Sequence, residues 1–466
     1  MKHSRNRVAF AGVSALIALS LMACSQNGDG TQNGDGGAPA VDTTAPVTIS
    51  VGGLPTTENA KQRQQMLRVI KDFEAKNQNI TIEPEETIWE LETFQAHLAG
   101  GTLPTVIGVP FTEIRSLIER RQVADITDYV ADSDVLSSLN PSVQKVATNA
   151  DGNVFGVPTT AYTMGLLYNR ALFTEAGLDP DAPPRTWEEV RTAASAIATK
   201  TDAAGFQTMT LEATGGWALT TTSYGLGAEV EQLDGETVTA NVNNPATTQA
   251  LEFYRHMRWE DDSMGANFLL NYDDANKAFA SGQVGMFIQG ADNYPRMVTN
   301  LGMAPADFGV APLPQGPNGI GTLGGGGIAI VNPKASPEEI TAAVKWIEFS
   351  DFRRYTDEEL AVTEAKAAIA DGVDVGAPEL PVVGQEDYDR WLGWIDGQIN
   401  VPRENYELYF STVQSLPLVP EPPVKAQEVY ATLDPVVQAV LTRQDADIPQ
   451  LLSKAQKTVQ SAIDAG

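Results

Sequence analysis

The chain has 466 residues, and 60 Asp+Glu against 31 Lys+Arg give it a formal net charge of −29. Such a field repels nucleic acid and anionic lipid and favours neutral or cationic partners. One cysteine excludes an internal disulfide and a cysteine-based zinc site, and the length suggests two or three domains.

Lys2, Arg5 and Arg7 precede a largely apolar run from Val8 to Ala23. That run is shorter than the roughly 20 residues that span a bilayer. It ends in Leu21-Met22-Ala23-Cys24, where the cysteine opens a polar tail. This resembles a bacterial lipobox, with a signal peptide over 1–23 and lipid on the Cys24 thiol. The plainer alternative is an ordinary secretory peptide beside a chance cysteine. Ser25 to Pro46 is mostly Gly, Asn, Asp, Thr and Pro, so 24–46 reads as a disordered tether. Acyl chains on such a tether would hold a folded body beside a membrane without inserting it.

The body starts with the β-branched strand Val47-Thr-Ile-Ser-Val51. Met66, Leu67, Ile70 and Phe73 then recur at helical spacing. Asn79–Ile82 reads as a second strand, and Thr105–Val109 as a third after a helix through Phe94 and Leu98. Thr186-Trp-Glu-Glu189 is a capping box behind Pro183-Pro184, with Val190, Ala193, Ala194 and Ile197 as the buried stripe. Ser336-Pro-Glu-Glu339 repeats the device ahead of Ile340, Val344 and Ile347. Strands separated by helices predict an α/β fold. No stretch after residue 24 is long and apolar enough to cross a membrane, and no internal repeat is visible.

Catalytic motifs are missing. Beyond the leader the histidines are His97 and His256, far apart in sequence. There is no His-Glu-x-x-His, no Gly-x-Ser-x-Gly elbow and no phosphate loop. Leu323-Gly-Gly-Gly-Gly327 reads as a glycine loop, but it precedes the apolar Ile328–Val331, the reverse of a dinucleotide loop. Asp371–Gly376 lacks calcium-loop spacing. The expectation is no catalytic residue, no metal and no cofactor. Among sixty acids a glycosidase pair stays open.

Several segments, taken in order, carry a resemblance. They are Asp151–Pro158, Gly165-Leu-Leu-Tyr-Asn-Arg-Ala-Leu-Phe173, Ala176–Pro180, Pro184–Glu189, Phe279–Gly290 and Phe308–Pro314 followed by Gly324–Gly327. Leu103–Gly108 and Ala124–Thr127 fit the earlier part. Together these resemble the extracellular solute-binding proteins of family 1, which serve ATP-binding-cassette (ABC) importers for sugars. Asp351 to Tyr409 matches least.

The resemblance implies an α/β, two-lobed periplasmic-binding-protein type II-like fold with an interlobe cleft and a hinge. Lobe 1 would hold 47–157 and 323–350, and lobe 2 would hold 158–322 and 351–466. Crossings would fall near Val157-Pro158, Thr322 and Ser350. Matching residue by residue puts Thr56, Thr57 and Glu58 after the first strand, Trp89 after the second, and Phe111 and Glu113 after the third. Tyr162 falls at the first crossing. Glu212, Thr214 and Trp217 fall in a ligand-facing loop. Gln289, Asp292 and Tyr294 follow the Met286-Phe-Ile strand, with Asp292 where the family often carries an aromatic. Gly325 and Gly326 would let backbone approach the ligand.

Each residue has a plainer reading. Trp89, Phe111 and Trp217 suit core packing, and Glu58, Glu113 and Glu212 suit a solvated surface. Trp187 reads as structural, and Trp391 and Trp394 as helix packing. The function implied is an extracytoplasmic, lipid-anchored, monomeric receptor, not an enzyme. It would capture a mono- or oligosaccharide and deliver it to the permease of an ABC importer. A polyamine receptor, a secreted carbohydrate-active enzyme and an adhesive lipoprotein are the alternatives.

Overall fold

The structure is a computed structural model that describes residues 44–234 and 237–465. The leader, Cys24 and all but the last three residues of the tether lie outside the described residues.

Eleven strands are present among the described residues: β1 (Val47–Val51), β2 (Ile80–Pro84), β3 (Val106–Pro110), β4 (Val157–Asn169), β5 (Ala204–Phe206), β6 (Glu231–Asp234), β7 (Thr237–Ala240), β8 (Val284–Gly290), β9 (Phe308–Pro312), β10 (Thr322–Val331) and β11 (Leu418–Pro420). The main sheet runs β2-β1-β3-β10-β4-β8-β5, with β11 added to β10 and β9 added to β4. β1 lies parallel to β2 and β3. β10 is antiparallel to both β3 and β4.

The length of β4 joins the two halves. Its first part pairs with β10, from Val157↔Ala329 to Thr163↔Gly324, and its second part pairs with β8 and β9. Where β4 and β10 meet, the register shifts between Gly327 and Ile328, opposite Thr160 and Pro158. Proline has no N–H to give the ladder, so a bulge at this position is the expected accommodation.

The strands expected at 47, 79 and 105 form, each within one residue or so of its expected start. The Leu323–Gly327 segment differs: it is not a loop but part of β10. Both capping boxes close. The Thr186 hydroxyl accepts from Glu189 N at 3.2 Å while Glu189 accepts from Thr186 N at 3.0 Å. The Ser336 pair closes at 3.2 and 2.7 Å. Each such cap stabilises by about 1 kcal/mol.

Burial sorts the apolar side chains into two clusters. One gathers Ile49, Ile107, Val157 and Trp346; the other gathers Leu166, Trp187, Phe206, Tyr254 and Leu433. β8 is buried along its whole length and alternates between them, with Phe287 in the first and Met286 and Ile288 in the second.

The stretch from Asp351 to Tyr409 touches both halves. At one end Asn140 N donates to Val382 O at 2.9 Å and the Ser138 hydroxyl to Asp387 at 2.6 Å. At the other, Tyr406 packs edge-on against Phe308 at 5.8 Å, and the Tyr409 hydroxyl meets that of Thr163 at 3.0 Å.

Candidate ligand-binding cleft

The crossing strands form the floor of the candidate site. Tyr162 of β4 lies opposite Gly325 of β10. A Cβ built on Gly325 would stand 2.8 Å from the Tyr162 ring. One on Gly326 would stand 2.0 Å from Thr160 O and 2.9 Å from the Phe111 ring. The room left by the missing side chains of these glycines is taken by Tyr162, Phe111 and the neighbouring strand.

Around Tyr162 the chain gathers acids and aromatics from distant stretches. Burial raises the Tyr162 pKa, and the charges of Glu421 and Asp292 raise it further, with Tyr272 also close by. Glu421 follows β11, and its carboxyl is pushed up by burial; donors on Tyr430 and Trp217 partly offset this. The Tyr430 hydroxyl donates to Glu421 at 3.4 Å. Trp217 Nε1 is buried and closes no hydrogen bond of normal geometry, although Glu421 feels it as a donor. Asp292 keeps contact with solvent, yet the protein ringing it raises its pKa by desolvation. Glu379 is raised in the same way; Arg354 lowers it and Asp292 raises it.

Trp217 owes its position to a built turn. Glu212 and Ala213 both take left-handed backbone, at φ 58° and 66°. The helix Thr214–Leu226 starts there, and its first amides are held by Asp434 from the helix Ala426–Thr442. Ala213 N and Gly216 N each donate to that carboxylate at 2.8 Å. A side chain on Gly216 would stand 2.1 Å from Tyr430 O, so the two helices meet at closest approach here.

The remaining expected residues divide. Gln289 is fully buried, donates to Asn276 at 3.0 Å and accepts from Gly290 N at 2.9 Å. Tyr294 is fully buried against Phe308 at 5.3 Å. Both are interior residues, because the first lies on buried β8 and the second faces the core. Phe111 is likewise buried. Thr214 donates to Leu211 O at 2.6 Å within the turn. Glu212 is exposed and accepts from Asn271 at 3.3 Å. Glu113 is half-buried and raised by burial, and Trp89 is half-buried against the first core. Glu58 is exposed in the turn Thr57–Asn59. Trp391 packs on Tyr355 at 5.8 Å, the packing role expected of it.

Glu421, Glu379, Tyr272 and Tyr430 were not singled out in the sequence. The proline-rich Pro417–Pro423 is the one signal that could have marked Glu421.

A cavity of about 480 Å³ opens where the end of β1 meets the start of β3, lined by Gly52, Gly53, Gln62, Gln65, Thr159 and Asp351. The Asp351 carboxylate accepts from Ser350 at 2.6 Å, and burial raises its pKa. Amides, carboxylates and aromatic rings of this kind can donate, accept and stack.

Residues 31–350, more than half the chain, match the bacterial extracellular solute-binding protein family. A binding protein of Brucella abortus is 26% identical over 57% of this chain. The sn-glycerol-3-phosphate-binding periplasmic protein of Salmonella typhimurium is 23% identical over 53% of it. The match spans 64% and 58% of those two proteins. Among solved structures, the cyclic alpha-maltosyl-1,6-maltose binding protein of Arthrobacter globiformis superposes with a TM-score of 0.67 at 20% identity. That match covers 91% of this chain and all of the other. The sugar-binding protein MalE of Xanthomonas citri gives 0.66 at 17%, covering 90% and 98%. UgpB of Mycobacterium tuberculosis, solved with glycerophosphocholine, gives 0.61 at 17%, covering 90% and 99%. The likeness to these structures shows a shared two-lobed fold. The chain belongs to the bacterial extracellular solute-binding protein family.

Proposed function

We propose that the protein is an extracytoplasmic receptor that captures a mono- or oligosaccharide around Tyr162 and delivers it to an ABC importer. The lobes divide near Val157-Pro158, Thr322 and Ser350, and closure is a hinge motion there. A solute touching both lobes stabilises the closed form by its differential contacts. The observation that carries this reading is the convergence of Tyr162, Trp217, Asp292 and Glu421, from four distant stretches, beside the crossing strands. Sugar-binding proteins among the structural neighbours support it.

The acidic wall formed by Asp292, Glu379 and Glu421 supports a second reading, a polyamine in the same cleft. A thermal-shift panel of sugars, polyamines and amino acids decides between them. A ligand at 100 times its dissociation constant adds about 2.7 kcal/mol of stability. A shift from sugars supports the first reading, a polyamine shift that Asp292→Asn abolishes supports the second, and no shift from either removes both. The solute should be recovered unchanged, with or without chelator. A cleaved product that tracks with the pure protein would make it an enzyme.

Anchoring has its own test. Acyl chains on Cys24 are proposed to hold a monomer to the outer face of the cell membrane. Cys24→Ser should move the protein from the membrane fraction to the soluble fraction. Retention of the variant on membranes at high salt would show another anchor.

A further inference from the structure

A second cavity, of about 640 Å³, opens beside β11, whose Leu418, Val419 and Pro420 line it. One wall comes from the helix Phe111–Glu119 and residues 142–150, and the other from β6, β11 and residues 417–423. It is set apart from the Trp217–Asp292 group and touches it at Glu421.

Glu231 closes this cavity from within. Its side chain is 1% exposed. One carboxylate oxygen accepts from Val424 N at 3.1 Å; the other, Oε1, is buried and has no partner. A carboxylate oxygen left so is costly, because burial strips its water and nothing replaces it. Two further acids converge here. Tyr224, buried and donating to Pro420 O at 3.3 Å, has its pKa raised by burial and then by the charges of Glu229, Glu231 and Glu421. Burial raises the Glu229 carboxyl, and Arg115, engaged with Glu119 at 3.3 Å on the opposite wall, partly offsets this. Lys145 is exposed at the rim. Among the described residues no donor reaches Glu231 Oε1.

We infer that this cavity is a binding site for a primary ammonium group, seated on Glu231 Oε1 and flanked by Glu229 and Glu421. An ammonium carries three N–H donors and a positive charge, so it satisfies the orphaned oxygen and offsets the converging acids. Its aliphatic stem would lie on Ile118, Leu233 and Val419, which also line the space. The site shares Glu421 with the cleft and is otherwise built from different residues.

Isothermal titration calorimetry on the full chain with 1,4-diaminobutane tests it, with 1,4-butanediol as the uncharged control. Glu231→Gln removes the charge, Val146→Trp fills the cavity from the far wall, and Asp292→Asn alters only the cleft. The diamine should bind and the diol should not. Both cavity variants should weaken the diamine by at least about tenfold, the usual worth of a charged hydrogen bond. Asp292→Asn should leave it unchanged. Burial raises the Glu231 pKa to about 7, so an arriving cation, which favours the ionised form, should drive proton release at pH 7. No binding at millimolar diamine, or binding that survives either cavity variant, overturns the site. Loss in Asp292→Asn with retention in Glu231→Gln would put the amine in the cleft instead. Failure of the sugar panel would leave this result untouched.

Discussion

Trp187→Ala should lower unfolding stability by about 3–5 kcal/mol, the usual cost of deleting a buried tryptophan, and leave solute affinity per folded molecule unchanged. Trp187 is 7% exposed and opens the capped helix Trp187–Lys200. It packs edge-on to Phe253 at 5.3 Å, and its ring lies 3.0 Å from where a Cβ on Gly225 would stand. Removing it leaves a cavity in the second core that these neighbours cannot fill without moving the helix. Its indole N–H has no partner, so Trp187→Phe, which removes that orphan with less volume, should cost much less. Thermal melts of the three proteins check this. Equal melting of wild type and Trp187→Ala would contradict it.

The second large effect is of pH. Burial lifts the Glu231 carboxyl from its ordinary 4.5 to about 7. Between those values the folded chain holds a proton that the unfolded chain has lost, so stability falls as pH rises through that window. The fall from this one group is about 3 kcal/mol. Asp292, Glu379, Glu421 and Asp434 are also raised by burial and act with the same sign. The protein should therefore resist urea better at pH 5 than at pH 8. Glu231→Gln should recover stability at pH 8 and flatten the profile. A profile that rises from pH 5 to pH 8 would contradict the account.

The parts legible in the sequence were those that local chemistry decides. β1 announces itself because Val47, Ile49 and Val51 alternate, and Ile49 and Val51 are buried in the structure. The helix starts at Thr186 and Ser336 are written within four residues each. Tyr162 was proposed because the crossing strand carries an ordered run of motifs.

What failed depends on the third dimension. The four glycines of β10 look like a loop by composition. They are strand because Tyr162, Phe111 and Thr160 press against them from outside the local sequence. Gln289 looked like a ligand because it ends a strand and is polar, but β8 is covered on both faces and Asn276 satisfies it instead. Glu421 and Glu379 escaped because only the fold brings them to Tyr162 and Asp292, and Glu379 lies in the stretch least like the family.

A solute held beside Tyr162 should draw affinity from the Trp217 indole. Calorimetric titration of wild type and Trp217→Ala tests it, using the ligand that most stabilises the wild type. Trp217 is half-buried at a helix start, and its indole N–H faces Glu421. A sugar should fill one site in the wild type. In the variant the expected loss is about 2 kcal/mol, the lower edge of a binding hot spot, with little change in melting. Wild-type affinity in Trp217→Ala, together with an early melt, would contradict it and make Trp217 a core residue.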